Sequence, residues 1–495
     1  MTAAIRRNPR NTHEHGAEHP ELFRTQGAIA PLRPRIASRR ATTRRYDVLV
    51  LDVTSIALGG AVHDPVAPPR PSLVRALAVR FGLVYSVLFF VPIIAFFVHG
   101  TKWLGPLVEP VWRAMVGWVA RGVLGIDREL TWMSGSGDKT VDWIWVLCCA
   151  AIALVSAAAW CLVDRTRAHD ERIRDLLRTV IRYCLAFTIL RYGISKLFIS
   201  QFPAPSGIRL LQPYGDSSPM GLLWTFMGAS PAYVFFSGAA ETVGALLLLA
   251  RRTTTLGALV LGAVLVNVVM MNLCYDVPVK IHSSHYLAMC VFLIAPDAAG
   301  LVRFLVLRRP AQPVDRALVV HRRGLRMARR VLKYGASAWL ILAAVYYYAD
   351  RRISNEPDAW YEGSWKVTGF ARDGQDVPAG VAGATRWSRI RFQIAPPSRY
   401  VRWILADGSP GSLYTFTVDD KAQTMTLEPA AAVRTPKQGA GPMALHYVRR
   451  DADHLALDGT IDGATLAVEL ERFDSRSTQL MSRGFHWISE EPFNR

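Results

Sequence analysis

The chain has 495 residues, 51% of them hydrophobic, and a formal net charge of +19. This length exceeds the usual size of one compact domain, so we expect more than one structural unit. Acidic and basic residues nearly cancel from Asn355 onward, so the positive excess lies earlier in the chain, beside apolar runs. Because cytoplasmic loops of membrane proteins are enriched in Lys and Arg, this placement favours membrane topology, and we expect no nucleic-acid partner.

The first predicted unit, residues 1–72, is a disordered basic arm. It is rich in Arg, Pro, Ala and His. No secretory signal peptide is visible, and the apolar run that starts at Val48 is too short to span a bilayer. We therefore expect this arm to stay in the cytoplasm without a packed core of its own.

The second predicted unit, residues 73–353, is a bundle of transmembrane α-helices. A helix needs roughly 20 apolar residues to cross a bilayer, and about seven runs approach that length. Between the first two runs, Trp103–Leu124 mixes apolar residues with Glu and Arg, which is typical of an interfacial amphipathic helix. The predicted spans are Phe81–His99, Trp143–Val163, Val180–Ser200, Pro231–Ala250, Leu256–Cys274, Ile281–Ile294 and Tyr334–Ala349.

The distribution of charge predicts how these spans are oriented. The basic segments are the N-terminal arm, Asp164–Arg182, Arg251–Arg252 and Arg303–Lys333. They alternate along the chain with segments that carry little net positive charge. With seven crossings, every basic segment falls on one side of the bilayer and every balanced segment on the other. We therefore predict a cytoplasmic N-terminus and an extracytoplasmic C-terminal domain.

The third predicted unit, residues 354–495, is an antiparallel β domain. Its apolar residues alternate with polar ones, as at Ile390, Phe392 and Ile394, which is typical of strands with one wet face. About eight such strands are enough to close a β-barrel or to form a sandwich. None of the six cysteines lies in this unit, so we expect no disulfide framework. With a packed core the domain would be an interaction module, and with an open one it would hold a small ligand.

Charged residues inside two predicted spans are the most informative feature of the bundle. The third span carries Arg191 and Lys196, and the fourth carries Glu241. Each Lys or Arg near a bilayer centre costs roughly 2.5–3.5 kcal/mol, so these side chains should meet across neighbouring helices. Pairing Glu241 with one base would leave the other for a ligand, and Tyr192 lies one helical turn from Lys196. The structural alternatives are a plain salt bridge at Glu241 and a snorkelling Lys196.

A second polar cluster is predicted at the outer ends of the next two spans. There His282 and His285 lie at i and i+3 and, with a carboxylate, could move protons or bind a transition metal. The spacing His-x-x-His is a weak signal, and Cys274 and Cys290 lie at no ligand spacing, so we predict no metal site. Plain interhelical hydrogen bonding is the alternative. The candidate catalytic residues are Glu241, Lys196, His282 and His285, and the candidate ligand-binding residues are Arg191, Tyr192, Lys196, Glu241, Asn267, Asn272, Asp276 and Lys280.

Two spans in the core of the bundle carry a pattern of glycines, charges and leucines. Its residues are Gly193, Lys196, Leu197, Glu241, Gly244, Leu247, Leu248, Arg251 and Arg252. This pattern, a G-x-x-K-L helix, then E-x-x-G-x-x-L-L and a basic turn, resembles that of the DoxX-like superfamily of integral membrane proteins. The resemblance covers about residues 180–305 and implies a four-helix core. The segments Q-F-P-A-P, Y-G-D-S-S-P-M-G and R-G-F-H-W-I resemble a longer bacterial subgroup of the same family.

The resemblance implies a bacterial inner-membrane protein in a redox or quinone neighbourhood, because family members are linked to thiosulfate:quinone oxidation and thiol stress. It transfers no established catalytic residue. No haem-attachment, iron–sulfur or nucleotide-binding motif occurs, so the residues indicate no cofactor, and quinone is the one that the family allows. We therefore expect a non-enzymatic subunit or scaffold that contacts the lipid bilayer and other membrane redox subunits. The alternatives are a quinone-linked oxidoreductase and a small-molecule or lipid binding or transport protein.

Overall fold

The computed structural model describes residues 72–97, 105–132, 134–165, 170–311, 359–379, 386–395, 398–430, 441–461, 463–484 and 486–487, with short runs and single helical residues between 324 and 349. The predicted N-terminal arm, residues 1–72, lies outside the described residues except for Ser72. In the described part, helices are followed by strands, in the order that the sequence predicts.

Helices α1 to α10 make up the first part of the described chain. Two of them begin at Ser–Pro pairs, where Ser218 and Ser230 accept hydrogen bonds from the backbone N–H groups of Gly221 and Tyr233. A serine cap followed by proline favours a helix start because N–H groups there lack intrahelical partners. The helices are α1 (Leu73–Phe97), α2 (Gly105–Trp118), α3 (Thr140–Val163), α4 (Asp170–Leu197), α5 (Gly207–Leu210), α6 (Pro219–Ala229), α7 (Pro231–Leu248), α8 (Thr254–Cys274), α9 (Lys280–Ile294) and α10 (Ala298–Leu301).

Five helical segments in the described residues are long and apolar enough to cross a membrane. They are Leu73–Phe90, Thr140–Val163, Pro231–Leu248, Arg251–Cys274 and Lys280–Val306. The predicted third span, Val180–Ser200, coincides with α4 as far as Leu197, and the charged residues of α4 keep it out of this set. The predicted seventh span falls on residues 334–349, of which those described are helical. The structure therefore supports a multi-pass membrane protein, and the count of seven crossings stays a prediction.

The helices surround one apolar core to which α1, α4, α7, α8 and α9 all contribute. Glycines bring α7 and α8 together, since a Cβ atom built at Gly257 would lie 2.9 Å from the Gly244 carbonyl oxygen. The outer faces are apolar as well: on α3, Val155 is 70% exposed and Val163 is 87% exposed. Apolar side chains on both faces of a helix are typical of a helix in lipid.

The strands form a closed antiparallel barrel. Pairing follows chain order from β3 to β9, and β1 pairs with both β3 and β9, which closes eight strands into a ring. The two-residue β2 pairs with β1 beside this ring. The strands are β1 (Gly363–Arg372), β2 (Gln375–Asp376), β3 (Trp387–Ala395), β4 (Ser398–Leu405), β5 (Pro410–Asp419), β6 (Thr424–Pro429), β7 (Met443–Arg449), β8 (His454–Ile461) and β9 (Ala464–Arg472).

The barrel interior is filled by side chains. Ile390 and Phe392 point inward and are buried, while Arg389 and Arg391 on the same strand are not, as the alternation in the sequence predicts. Large aromatic residues, including the fully buried Trp365, pack in the same cluster. Of the two predicted architectures, the structure therefore has the barrel, with a packed core.

Replacing Phe370 with alanine tests this packing. Phe370 is 2% exposed in the barrel core, so we expect its truncation to cost about 3–5 kcal/mol of unfolding free energy. The matched control, Val448→Ala on the same barrel, removes a side chain that is 41% exposed and should cost less than about 0.5 kcal/mol. Urea unfolding of the full chain in mild detergent, followed by tryptophan fluorescence, measures both. Equal midpoints for the two variants would contradict a packed interior.

Candidate functional site

A buried ion pair joins α4 to α7. The ammonium nitrogen of Lys196 lies 2.6 Å from both Oε1 and Oε2 of Glu241 and donates a hydrogen bond to each. Lys196 is 6% exposed and Glu241 is 4% exposed. The sequence predicts that Glu241 meets a base of the preceding span, and the structure brings Lys196 to it. Two opposite charges that satisfy each other lower the cost of placing either one in an apolar bundle.

Glycines on both helices permit this close approach. A Cβ atom built at Gly238 would lie 2.6 Å from Lys196 Cβ and 2.8 Å from the Gly193 carbonyl oxygen. One built at Gly193 would lie 2.9 Å from the Thr242 nitrogen. Side chains do not fit at these distances, so the small residues let the two backbones meet. The stem of Lys196 therefore packs on a bare turn of α7, one turn before Glu241.

The other two candidates on α4 precede Lys196 along the helix. Arg191 and Tyr192 are both half-buried. Tyr192 is close enough to interact electrostatically with Glu241 and with Tyr286 on α9. Tyr192 therefore lies between the Lys196–Glu241 pair and α9.

The predicted second cluster divides into a junction and an outlier. The buried Asn272 donates its amide N–H to Ser283 Oγ at 3.0 Å, which joins α8 to α9. In the turn between these helices, Lys280 and Asp276 form an ion pair at 2.8 Å, and the Asp276 side chain is 84% exposed. Asn267 is exposed on α8, five positions and about 140° around the helix from Asn272. The structure thus places the candidates Asn272, Asp276 and Lys280 at the junction of α8 and α9 and leaves the candidate Asn267 outside it.

The two histidines lie on α9 and have different surroundings. His285 Nδ1 lies 2.7 Å from the Ile281 carbonyl oxygen, and His285 Nε2 lies 2.6 Å from the Tyr85 hydroxyl. Because a carbonyl only accepts, Nδ1 carries the proton, and in the neutral ring Nε2 accepts from Tyr85. His282 lies against Gly137, whose added Cβ would be 3.3 Å from His282 Nδ1. No group of three or more His, Cys, Asp or Glu residues is arranged to hold a metal within the described residues.

Rings from three helices enclose the Tyr85–His285 hydrogen bond. His285 stacks on Phe89 with ring centroids 4.3 Å apart, and Phe89 stacks on Trp145 at 4.9 Å. Stacked aromatic rings hold the imidazole in one orientation. The rings therefore fix the donor and the acceptor of the Tyr85–His285 hydrogen bond, and His285 is the member of this pair that can change its protonation state near neutral pH.

A buried arginine that sequence reasoning missed connects three helices. Arg80 on α1 is fully buried, and its guanidinium lies 2.8 Å from Asp164 and 2.7 Å from Asp170. These acids end α3 and begin α4. The sequence carries this signal, because both acids lie in the basic segment 164–182 and Arg80 lies at the edge of the first apolar run.

A second missed residue, Asp138, caps α9 from a distant loop. Its carboxylate accepts hydrogen bonds from the backbone N–H groups of Lys280 at 2.8 Å and Ile281 at 3.0 Å. The first N–H groups of a helix have no intrahelical partner, so this carboxylate fixes the start of α9. Asp138 thereby ties the loop before α3 to the helix that carries both histidines. Its distance along the chain hides this role from sequence reasoning.

The comparisons with known proteins give one relative. The chain is 32% identical over 153 residues to "Uncharacterized protein YwoB" of Bacillus subtilis (strain 168), which covers 31% of this chain and 94% of the relative. The chain belongs to the family of YwoB. The printed description of YwoB gives no activity, so none passes to this chain through the family. No family model matches, and no solved structure matches.

Removing the carboxylate of the central pair should destabilise the bundle. Glu241→Gln leaves the buried Lys196 ammonium without its counter-charge, and we expect a loss of about 3–5 kcal/mol. The matched control is Glu109→Gln, whose partner Arg113 is 40% exposed, and which should cost less than about 1 kcal/mol. Thermal unfolding in mild detergent measures both variants.

A double variant tests whether the unpaired Lys196 charge causes this loss of stability. Lys196→Met with Glu241→Leu replaces both charges with apolar side chains, so its stability should return to within about 1 kcal/mol of the wild type. If the double variant were as unstable as Glu241→Gln, the unpaired charge would not be the cause.

Proposed function

We propose that this chain is a multi-pass scaffold of the bacterial inner membrane, a non-enzymatic subunit of a DoxX-like redox assembly. In this proposal the N-terminus is cytoplasmic and the barrel is an extracytoplasmic interaction module. Because the barrel interior is filled by side chains, a partner would bind the outer surface of the barrel. The self-satisfied Lys196–Glu241 pair supports a structural role for the helical core.

The observation that carries the proposal is the contact between α5 and the barrel. A Cβ atom built at Gly207 on α5 would lie 2.5 Å from Ser364 Cβ on β1 and 2.5 Å from Phe473 Cδ1 after β9. Beside it, Arg389 on β3 donates to the Ile208 carbonyl oxygen at 3.0 Å. The barrel thus rests directly on the segment between α4 and α6. A module held at a fixed position on a membrane domain is suited to presenting a surface to a partner subunit.

A bulky side chain at Gly207 should separate the barrel from α5. Gly207→Leu places its side chain where Ser364 and Phe473 now lie, so we expect faster hydrogen exchange at the amides of α5 and β1. The control is Gly215→Leu in the same loop, where an added Cβ meets nothing within 4 Å. Hydrogen exchange of the full chain in mild detergent compares the two variants. Equal exchange in both would contradict the docked barrel.

The same variants test the scaffold role. Purified from native membranes, the wild type and Gly215→Leu should carry a redox subunit at constant stoichiometry, and Gly207→Leu should lose it. Visible spectroscopy and mass spectrometry identify that subunit. If no other subunit co-purifies with the wild type or with either variant, the scaffold proposal is wrong.

A second candidate function is a quinone-linked oxidoreductase, favoured by the Tyr85–His285 hydrogen bond. A phenol and an imidazole 2.6 Å apart in an aromatic pocket can hold and move a proton beside a bound quinone. In this candidate Tyr85→Phe reduces the quinone recovered per protein by lipid extraction. The control, Tyr214→Phe, changes a residue that is 79% exposed and leaves the quinone content unchanged. A wild-type extract without quinone would eliminate this candidate.

A further inference from the structure

The face of the barrel that meets α5 is strongly basic. A cleft of about 610 Å³ lies between α5 and the outer face of β3 and β4. Its charged lining consists of Arg209, Arg389, Arg391 and Arg402, with Asp216 as the carboxylate. Among the described residues, none of these four arginines takes part in an ion pair. The cleft therefore concentrates positive charge where two parts of the protein meet.

The strand register places like charges opposite one another in this cleft. Arg391 on β3 is the direct cross-strand partner of Arg402 on β4, and Arg389 is the partner of Lys366 on β1. Like charges directly opposite in an antiparallel pair destabilise a sheet. An anion between the guanidinium groups would remove this repulsion.

The surroundings of the arginines raise the cost of leaving them uncompensated. Burial lowers the pKa of both Arg389 and Arg391, because a guanidinium withdrawn from water loses hydration. Glu362 acts in the opposite direction on the Arg391 pKa, and its Oε1 accepts from the Ile394 N–H at 3.3 Å. Both groups stay charged at neutral pH, as arginines do in proteins.

The membrane domain contributes a positioned arginine to the same cleft. Arg209 donates to Gln212 Oε1 at 2.9 Å, and Gln212 in turn donates to the Asp216 carbonyl oxygen at 2.7 Å. The Arg209 guanidinium packs on Gly221, whose added Cβ would lie 2.7 Å from Arg209 Nη1. Its neighbours thus hold it in place before any ligand arrives. Ligands that fit such a cleft must reach both the barrel and α5.

We propose that this arginine cleft binds a phosphate group. The planar guanidinium matches phosphate oxygens in paired hydrogen bonds, and a cleft of this volume accommodates a phosphate with its ester substituent. Because α5 lies between the end of α4 and the start of α6, the cleft lies beside one end of the bundle, where we expect lipid headgroups. The phosphate therefore belongs to an anionic phospholipid or to a soluble phosphate ester. This inference rests on the docked barrel of the proposed function.

Two probes distinguish the sources of the phosphate. Inorganic phosphate is titrated calorimetrically into the full chain in zwitterionic detergent, and nanodiscs with or without phosphatidylglycerol test the lipid headgroup. If inorganic phosphate binds and its affinity is the same in nanodiscs with and without phosphatidylglycerol, the ligand is a soluble phosphate ester. Retention of phosphatidylglycerol through delipidation, measured by native mass spectrometry, assigns the lipid. If inorganic phosphate does not bind and phosphatidylglycerol is not retained, the proposal is wrong.

The variant that tests the site is Arg391→Gln with Arg402→Gln. We expect each lost guanidinium to weaken binding about tenfold. The control is Lys421→Gln with Arg450→Gln, which removes the same charge from exposed positions elsewhere on the barrel. Equal affinity in the two double variants would overturn the site. Hydrogen exchange at α5 is read in every sample, so an undocked wild-type barrel would be recognised as a failure of the proposed function itself.

Discussion

The salt bridge between Lys196 and Glu241 is the interaction on which the helical domain depends. α4 carries too many charges to qualify as a span by hydropathy, yet it packs in the core with helices that do qualify. Its place there requires that its buried ammonium be neutralised, and a carboxylate on α7 does so at 2.6 Å. The glycines at 193 and 238 bring the two backbones close enough for this contact. The same contact between α4 and α7 therefore depends on the two glycines, on close packing of the helices and on the ion pair.

Contacts at the start of α4 and just beyond its end complement this pair, which lies in the last turn of the helix. At its beginning, Asp170 meets the buried Arg80 of α1. Beyond its end, the chain forms α5, on which the barrel rests through Gly207. A helix fixed at its start by Asp170 and in its last turn by Lys196 can transmit the position of the bundle to the barrel. The arrangement suits the proposed scaffold, in which the barrel must be held at a fixed position on the bundle.

Much of this architecture follows from sequence, because two strong patterns dominate it. Charges in an apolar run require partners, which predicts that Glu241 meets a base of α4, and strict alternation predicts the barrel face that includes Ile390 and Phe392. Sequence could not choose between Arg191 and Lys196, because both lie in the same helix and the choice depends on backbone separation at Gly238. It also missed Asp138 and the arginine cleft. Both depend on contacts between residues far apart in the chain.

Closure of the barrel limits how a partner can bind it. An open sheet exposes unpaired backbone groups at its edges, and an extended peptide can add there as a further strand. Here β1 and β9 hydrogen-bond to each other, so the two edges that these strands would otherwise leave are occupied. A protein that binds this domain must therefore contact its side chains and cannot add a strand to its backbone. The specificity of binding then depends on surface residues, which can change in evolution without disturbing the hydrogen bonds between the strands.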